Sequence, residues 1–77
     1  MPAAAAHELS HFYRWRDKTE LPAGAYRDLD EALTSLDAML RYDRELTRHE
    51  VLQLGRDAIH RLQRLRAQLL DGDDGDS

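Results

Sequence analysis

The chain has no cysteine, one lysine and two prolines in 77 residues, and no window approaches the roughly 18 consecutive apolar residues of a membrane span. Disulfides and thiolate metal sites are therefore excluded. Met1 to Ala6 lacks the basic flank and apolar run of a secretory signal, so a cytoplasmic protein is expected. Arginine outnumbers lysine ten to one and alanine is frequent, a composition that suggests a GC-rich, bacterial genome. A single core of this size gives only about 3 to 5 kcal/mol unless something staples it. A chain without staples commonly finds its missing burial in a partner, and two helical hairpins make a four-helix bundle.

What is present is helical periodicity. Leu46-Thr47-Arg48-His49-Glu50-Val51 reads as a helix start. Thr47 and Glu50 form a T-x-x-E capping box, and Leu46 and Val51 stand where a hydrophobic staple closes. Before this start, Tyr26, Leu29, Leu33, Leu36 and Leu40 recur at steps of three and four; after it, Val51, Ala58, Leu62, Leu65 and Leu69 do much the same. The pattern predicts an all-α protein built on an antiparallel helical hairpin, with helices over about 22–42 and 48–70. Residues 1–20 form an N-terminal aromatic helix or arm, helical over about 4–18 and ended before Thr19-Glu20-Leu21-Pro22. Gly72 is a natural stop, and residues 71–77 are expected to be a disordered acidic tail.

The net charge of −4 comes from the tail, where Asp71, Asp73, Asp74 and Asp76 supply four negatives. The rest is neutral but segregated. Residues 24–45 hold Arg27, Arg41 and Arg44 against Asp28, Asp30, Glu31, Asp37, Asp43 and Glu45; residues 48–70 hold Arg48, Arg56, Arg61, Arg64 and Arg66 against Glu50 and Asp57. Counting from the turn, Leu40 opposes Leu52, Leu36 opposes Gly55, Leu33 opposes Ile59, Leu29 opposes Leu62, and Tyr26 opposes Arg66. Gly55 is read as a point of close backbone approach, since glycine costs about 1 kcal/mol in a helix. Arg66 is read as pairing with Asp30 and suiting the negative helix end. With Leu69, these apolar residues are candidates for the core or a dimer interface. The apolar arc of the last helix is roughly 160°, wider than one facing helix covers. Either the aromatic segment fills it within one chain or a second copy does, and the homodimer is the favoured reading.

His7-Glu8-Leu9-Ser10-His11 resembles the H-E-x-x-H signature of the zincin metalloproteases. The resemblance implies His7 and His11 as zinc ligands and Glu8 as general base. It covers five residues, and no later residue has a spacing that recommends it as third ligand. On a helical wheel both histidines lie opposite Leu9 and Tyr13, which predicts a solvent-facing pair, with Trp15 placed to stack on His11. Thr34-Ser35-Leu36-Asp37 is similar to the Ser-Leu-Asp of acyl carrier proteins, which implies a modified serine at Ser35. Arg56, Arg61 and Arg64 form an outer stripe able to meet phosphates.

No nucleophile has a base and orienter, so a non-enzymatic protein without cofactor is expected. The leading reading is a small regulatory or adaptor protein that binds another protein through helices, as a homodimer. Phe12, Tyr13, Arg14, Trp15 and Arg16 are its expected partner anchor, since aromatics and arginine are enriched at hot spots. The alternatives are an RNA-binding hairpin dimer using Arg56, Arg61 and Arg64, and more remotely a zinc-binding protein using His7 and His11.

Overall fold

A computed structural model describes residues 1–22 and 26–75, with side chains as far as Asp71. The described residues form three helices and no strand: α1 Ala3–Arg16, α2 Arg27–Arg41 and α3 Arg48–Gly75. The capping box closes α3 at its start. The Thr47 amide donates to Glu50 Oε1 at 2.8 Å, and the Glu50 amide donates to Thr47 Oγ1 at 3.2 Å. Leu46 is buried and Val51 packs against the same cluster, as a staple requires.

The first helix ends in a two-bond clasp. The Thr19 amide donates to the Arg14 carbonyl at 2.9 Å and the Lys18 amide to the Trp15 carbonyl at 3.2 Å. This is a Schellman motif, and it puts Lys18 in the left-handed region at φ 59°. The second helix begins at Arg27, later than the expected 22, while Ala23 lies outside the described residues. Here the Leu21 amide donates to Asp30 Oδ1 at 3.0 Å, so a first-turn carboxylate draws the incoming segment against the helix. The third helix continues through Gly75, past Gly72 and into the segment expected to be disordered. Once a helix is nucleated, each added residue gains a backbone bond at little cost.

Side chains late in α2 meet side chains early in α3, and the reverse. Ser35 reaches Asp57, Glu31 reaches Arg61, and Asp28 reaches Arg61 and Arg64. These pairs are level with those counted from the turn, but both helices are rotated from the expected facing. Ser35, Ala38, Leu54 and Ala58 are turned inward, and Leu33, Leu36, Leu40, Leu52, Ile59, Leu62 and Leu69 are exposed. The core is thus small and partly polar: Ala6, Ala32, Ala38 and Ala58 with Leu46 and Leu54, beside Ser10, Thr34 and Ser35. Small side chains let α1 and α2 approach closely, and polar contacts across the gap fix their facing. The resulting body measures 48 × 27 × 14 Å, too thin to enclose large side chains on every helix face. A methyl group built at Gly55 would stand 3.8 Å from Met39 Cε, an ordinary contact, so the space there does not demand glycine.

Candidate functional site

The first helix is attached by its polar side. Ala6, Ser10 and Arg14, at steps of four, are its buried residues. Arg14, expected at a partner surface, is 5% exposed and binds within the chain. Its guanidinium meets Asp30 Oδ1 at 2.9 Å and donates to Thr34 Oγ1 at 2.7 Å, the Asp30 carbonyl at 2.8 Å and the Thr19 carbonyl at 2.7 Å. Arg14 therefore takes the carboxylate expected to pair with Arg66, which is exposed.

Of the other anchor residues, Tyr13 is half-buried, its ring covered by Arg16 at 4.6 Å and Arg41 at 4.8 Å. Phe12 and Trp15 are 52% and 65% exposed, with ring centroids 6.1 Å apart. With exposed Leu9 and Arg16 they form an outer patch on α1. Trp15 stacks toward Phe12, not on His11 as expected.

His7 and His11 also depart from the expected facing. Both turn toward α2 and are half-buried, with ring centroids 4.7 Å apart. His7 Nε2 lies 3.1 Å from Glu31 Oε2, and His11 Nε2 lies 3.1 Å from Glu31 Oε1. Behind this trio runs a relay: His7 Nδ1 is 2.8 Å from Ser35 Oγ, which donates to Asp57 Oδ2 at 2.7 Å. Burial pushes the Asp57 carboxyl up, but the Ser35 hydroxyl and Arg61 outweigh it and hold the group below its ordinary value. Asp57 is thus an acceptor, the single Ser35 proton is committed to it, and His7 Nδ1 must be the donor to Ser35. Beside the relay, an open cleft of about 260 Å³ is lined by His7, Glu8, Ser35, Asp57 and Arg61 among others.

This geometry bears on two motif readings. Ser35, likened to the modified serine of carrier proteins, is buried inside α2 with its hydroxyl donated to Asp57. Glu8 is exposed and groups with His7 and His11 within 4.8 Å, while Glu31 of α2 contacts both histidines at 3.1 Å, without a strand among the described residues. Sequence reasoning missed the roles of Glu31 and Asp57 and gave Ser35 a different one. The signal for Ser35 was a hydroxyl residue within the helical run, whereas nothing in the linear sequence linked Glu31 to α1.

The arginine stripe is largely occupied from within. Arg61 stands 3.5 Å from Asp57, 3.8 Å from Asp28 and 3.8 Å from Glu31, and Arg64 stands 3.8 Å from Asp28. Arg56 is exposed. The opposite charges of α2 and α3 thus meet inside the chain.

The remaining candidates form one apolar surface flanking the α2–α3 seam. Leu33, Leu36 and Leu40 come from α2; Leu52, Ile59, Leu62 and Leu69 come from α3. Leu40 is 81% exposed, and Tyr26 is exposed at the same end as Leu62 by register. Leu29 is half-buried. The described residues include no helix long and apolar enough to cross a membrane. Compared with protein-family models, curated proteins and solved structures, the chain matches none of them.

Proposed function

We propose that this chain is a non-enzymatic adaptor that works as a homodimer, its leucine surface covered by a second copy and its α1 aromatic patch left outside to hold another protein. The observation that carries this reading is the inversion of side-chain size: alanine, serine and threonine make up most of the interior, beside Leu46, Leu54 and Arg14, while eight large apolar residues of α2 and α3 stand exposed. The chain exposes 5694 Å², whereas a folded monomer of 8.9 kDa is expected to expose about 4,800 Å².

A second copy is the occupant favoured by the lengths of the helices. At about 1.5 Å per residue the 28-residue α3 is about 42 Å long and the 15-residue α2 about 22 Å. Leu69 and Leu70 therefore stand on a stretch of α3 beyond the reach of α2, and both are exposed. A symmetric partner brings another overhang of the same composition, so each end covers the other. Charge agrees with an apolar contact here, since Arg61, Arg64, Asp28 and Glu31 are already paired within the chain. The same pairing occupies Arg61 and Arg64, two of the three arginines expected to meet phosphates.

Light scattering across a concentration series tests the proposal. The wild type is expected at twice the chain mass, and Leu36→Glu with Ile59→Glu at the chain mass with its helix content kept. Phe12→Ala with Trp15→Ala leaves the mass doubled. A wild type that stays monomeric at every concentration, or a charged double variant that still dimerises, overturns it.

A further inference from the structure

One face of α3 carries a strict alternation of steps. Leu52, Gly55, Ile59, Leu62, Arg66 and Leu69 follow one another at three and four positions, the seam of a coiled coil, and none of them is buried. Two members interrupt its apolar character. Gly55 has no side chain, although its neighbours within the chain do not demand that, since an added methyl would stand 3.8 Å from Met39 Cε. Arg66 is exposed, and the Asp30 carboxylate expected to pair with it is held by Arg14. Tyr26, Leu29, Leu33 and Leu36, at the cap of α2 and along it, repeat the same spacing.

Resting on the dimer reading above, we propose that the second copy lies antiparallel, α3 against α3, with Arg66 of each chain crossing Gly55 of the other. In that register Leu52 meets the other chain's Leu69 and Ile59 meets its Leu62, so every seam residue has an opposite. Sliding by seven residues one way sets Arg66 against Leu62, and the other way sets it against Arg48; either leaves one end of the seam uncovered. The α3 pairs are centred between His60 and Arg61, and the matching α2 pairs, Leu29 with Leu33 and Tyr26 with Leu36, are centred on Glu31. Glu31 and Arg61 stand level, 3.8 Å apart, so one two-fold axis serves both helices. The helix ends agree. The last turn of α3 has no basic residue, and Asp71 stands exposed just before it, near the negative end of its own dipole. Antiparallel packing sets that end beside the other chain's α3 start, where the dipole is positive and Arg48 is exposed; parallel packing sets two acidic ends together. The Arg66 stem lies on the seam while its guanidinium reaches the rim. A methyl at Gly55 leaves room for that stem, and a larger side chain does not.

Because the chain has no cysteine, introduced thiols report the arrangement alone. In the antiparallel register the two copies of Leu52 stand about 25 Å apart along the helices, far beyond the ~7 Å a disulfide spans between Cα atoms. Leu52→Cys and Leu69→Cys chains, mixed in a glutathione buffer, are expected to form the mixed disulfide at about ten times the yield of either alone. Arg66→Leu removes the polar residue that fixes the register, so self-linking of Leu52→Cys rises while the mass by light scattering stays doubled. Mass under reducing conditions confirms that each variant dimerises, and Gly55→Cys mixed with Arg66→Cys reads the same register if Leu52→Cys does not. A doubled mass with Leu52→Cys linking to itself as readily as to Leu69→Cys overturns the arrangement and leaves the dimer standing, whereas a wild type of single mass overturns both. A linking pattern unchanged by Arg66→Leu overturns the role given to Arg66.

Discussion

Replacing Arg14 with alanine is expected to remove most of the stability of the fold. The side chain is 5% exposed and makes one ion pair and three hydrogen bonds, two of them to carbonyls in different segments. Removing one partner of a buried ion pair costs about 3–5 kcal/mol, because the other charge stays behind uncompensated. Asp30 keeps the Leu21 amide as donor and is about one-fifth exposed, so water can reach it. That places Arg14→Ala at the low end, about 3 kcal/mol, in a domain whose own core gives about 3 to 5 kcal/mol. With a urea dependence of about 1 kcal/mol per molar, the midpoint should fall by about 3 M. Arg14→Lys keeps the charge but loses the planar fork and should cost about half as much. Urea unfolding followed by circular dichroism measures both, at one fixed chain concentration because a dimer's stability depends on it. A loss under about 0.5 kcal/mol, the range of ordinary surface changes, would refute the reasoning and return Arg14 to the outer face.

Gly55→Ala should stabilise the protein by up to about 1 kcal/mol, since the added methyl meets Met39 at 3.8 Å without a clash and glycine is a poor helix former; destabilisation in the same urea assay would show closer packing there. Lys18→Gly should gain about 1 kcal/mol by relieving the left-handed backbone at φ 59°, and a loss in thermal unfolding would contradict that geometry. The amide and hydroxyl of Thr47 hold the Glu50 carboxyl below its ordinary 4.5. A depressed folded value means a contribution fully present above the ordinary value and lost as pH falls through the folded one. The stability difference between wild type and Glu50→Gln should therefore shrink on acidification below about pH 4.5; a constant difference would sever the link to ionisation. Finally, α1 buries only Ala6, Ser10 and Arg14, so its amides should exchange with solvent through a lower-energy opening than those of α2; equal protection would contradict a separately attached helix.

Local signals in the sequence carried the helix boundaries further than the packing. The capping box of Thr47 and Glu50 and the staple of Leu46 and Val51 depend on residues three and five positions apart, and α3 starts where they indicate. The level of α2 against α3 followed from counting outward from the turn, because the turn is short and both helices rise equally per residue. Rotation about each helix axis is another matter. Ranking residues by apolarity turned Leu33, Leu36 and Ile59 inward, but the chain turned Ser35 and Ala38 inward instead, while Ala58 of the expected α3 stripe is buried. The competing term was directional: Arg14 reaches Thr34 and Asp30, Ser35 reaches Asp57, and Glu31 faces both histidines. A helical wheel registers the hydrophobic stripe and is blind to such pairings across helices, so it set His7 and His11 in solvent and Arg14 at a partner surface. The leucines were legible as a set needing cover, while the side of the fold that would carry them was not.

The polar interior and the apolar exterior follow from different forces acting on one chain. Hydrogen bonds within a protein contribute only about 0.5–1.5 kcal/mol each net of water, but they are directional, so they are better at fixing orientation than at supplying stability. That is how they act between α1 and α2, where the buried residues are alanine, serine, threonine and arginine, and where Ser10 Oγ is buried without a partner among the described residues. Burial of apolar surface is non-directional and larger, about 25 cal/mol per Å². Most of the surface able to supply it lies on the outside of α2 and α3. If a second copy covers that surface, folding and assembly share one source of stability, while the facing of the three helices is set beforehand by Arg14, Ser35 and Glu31.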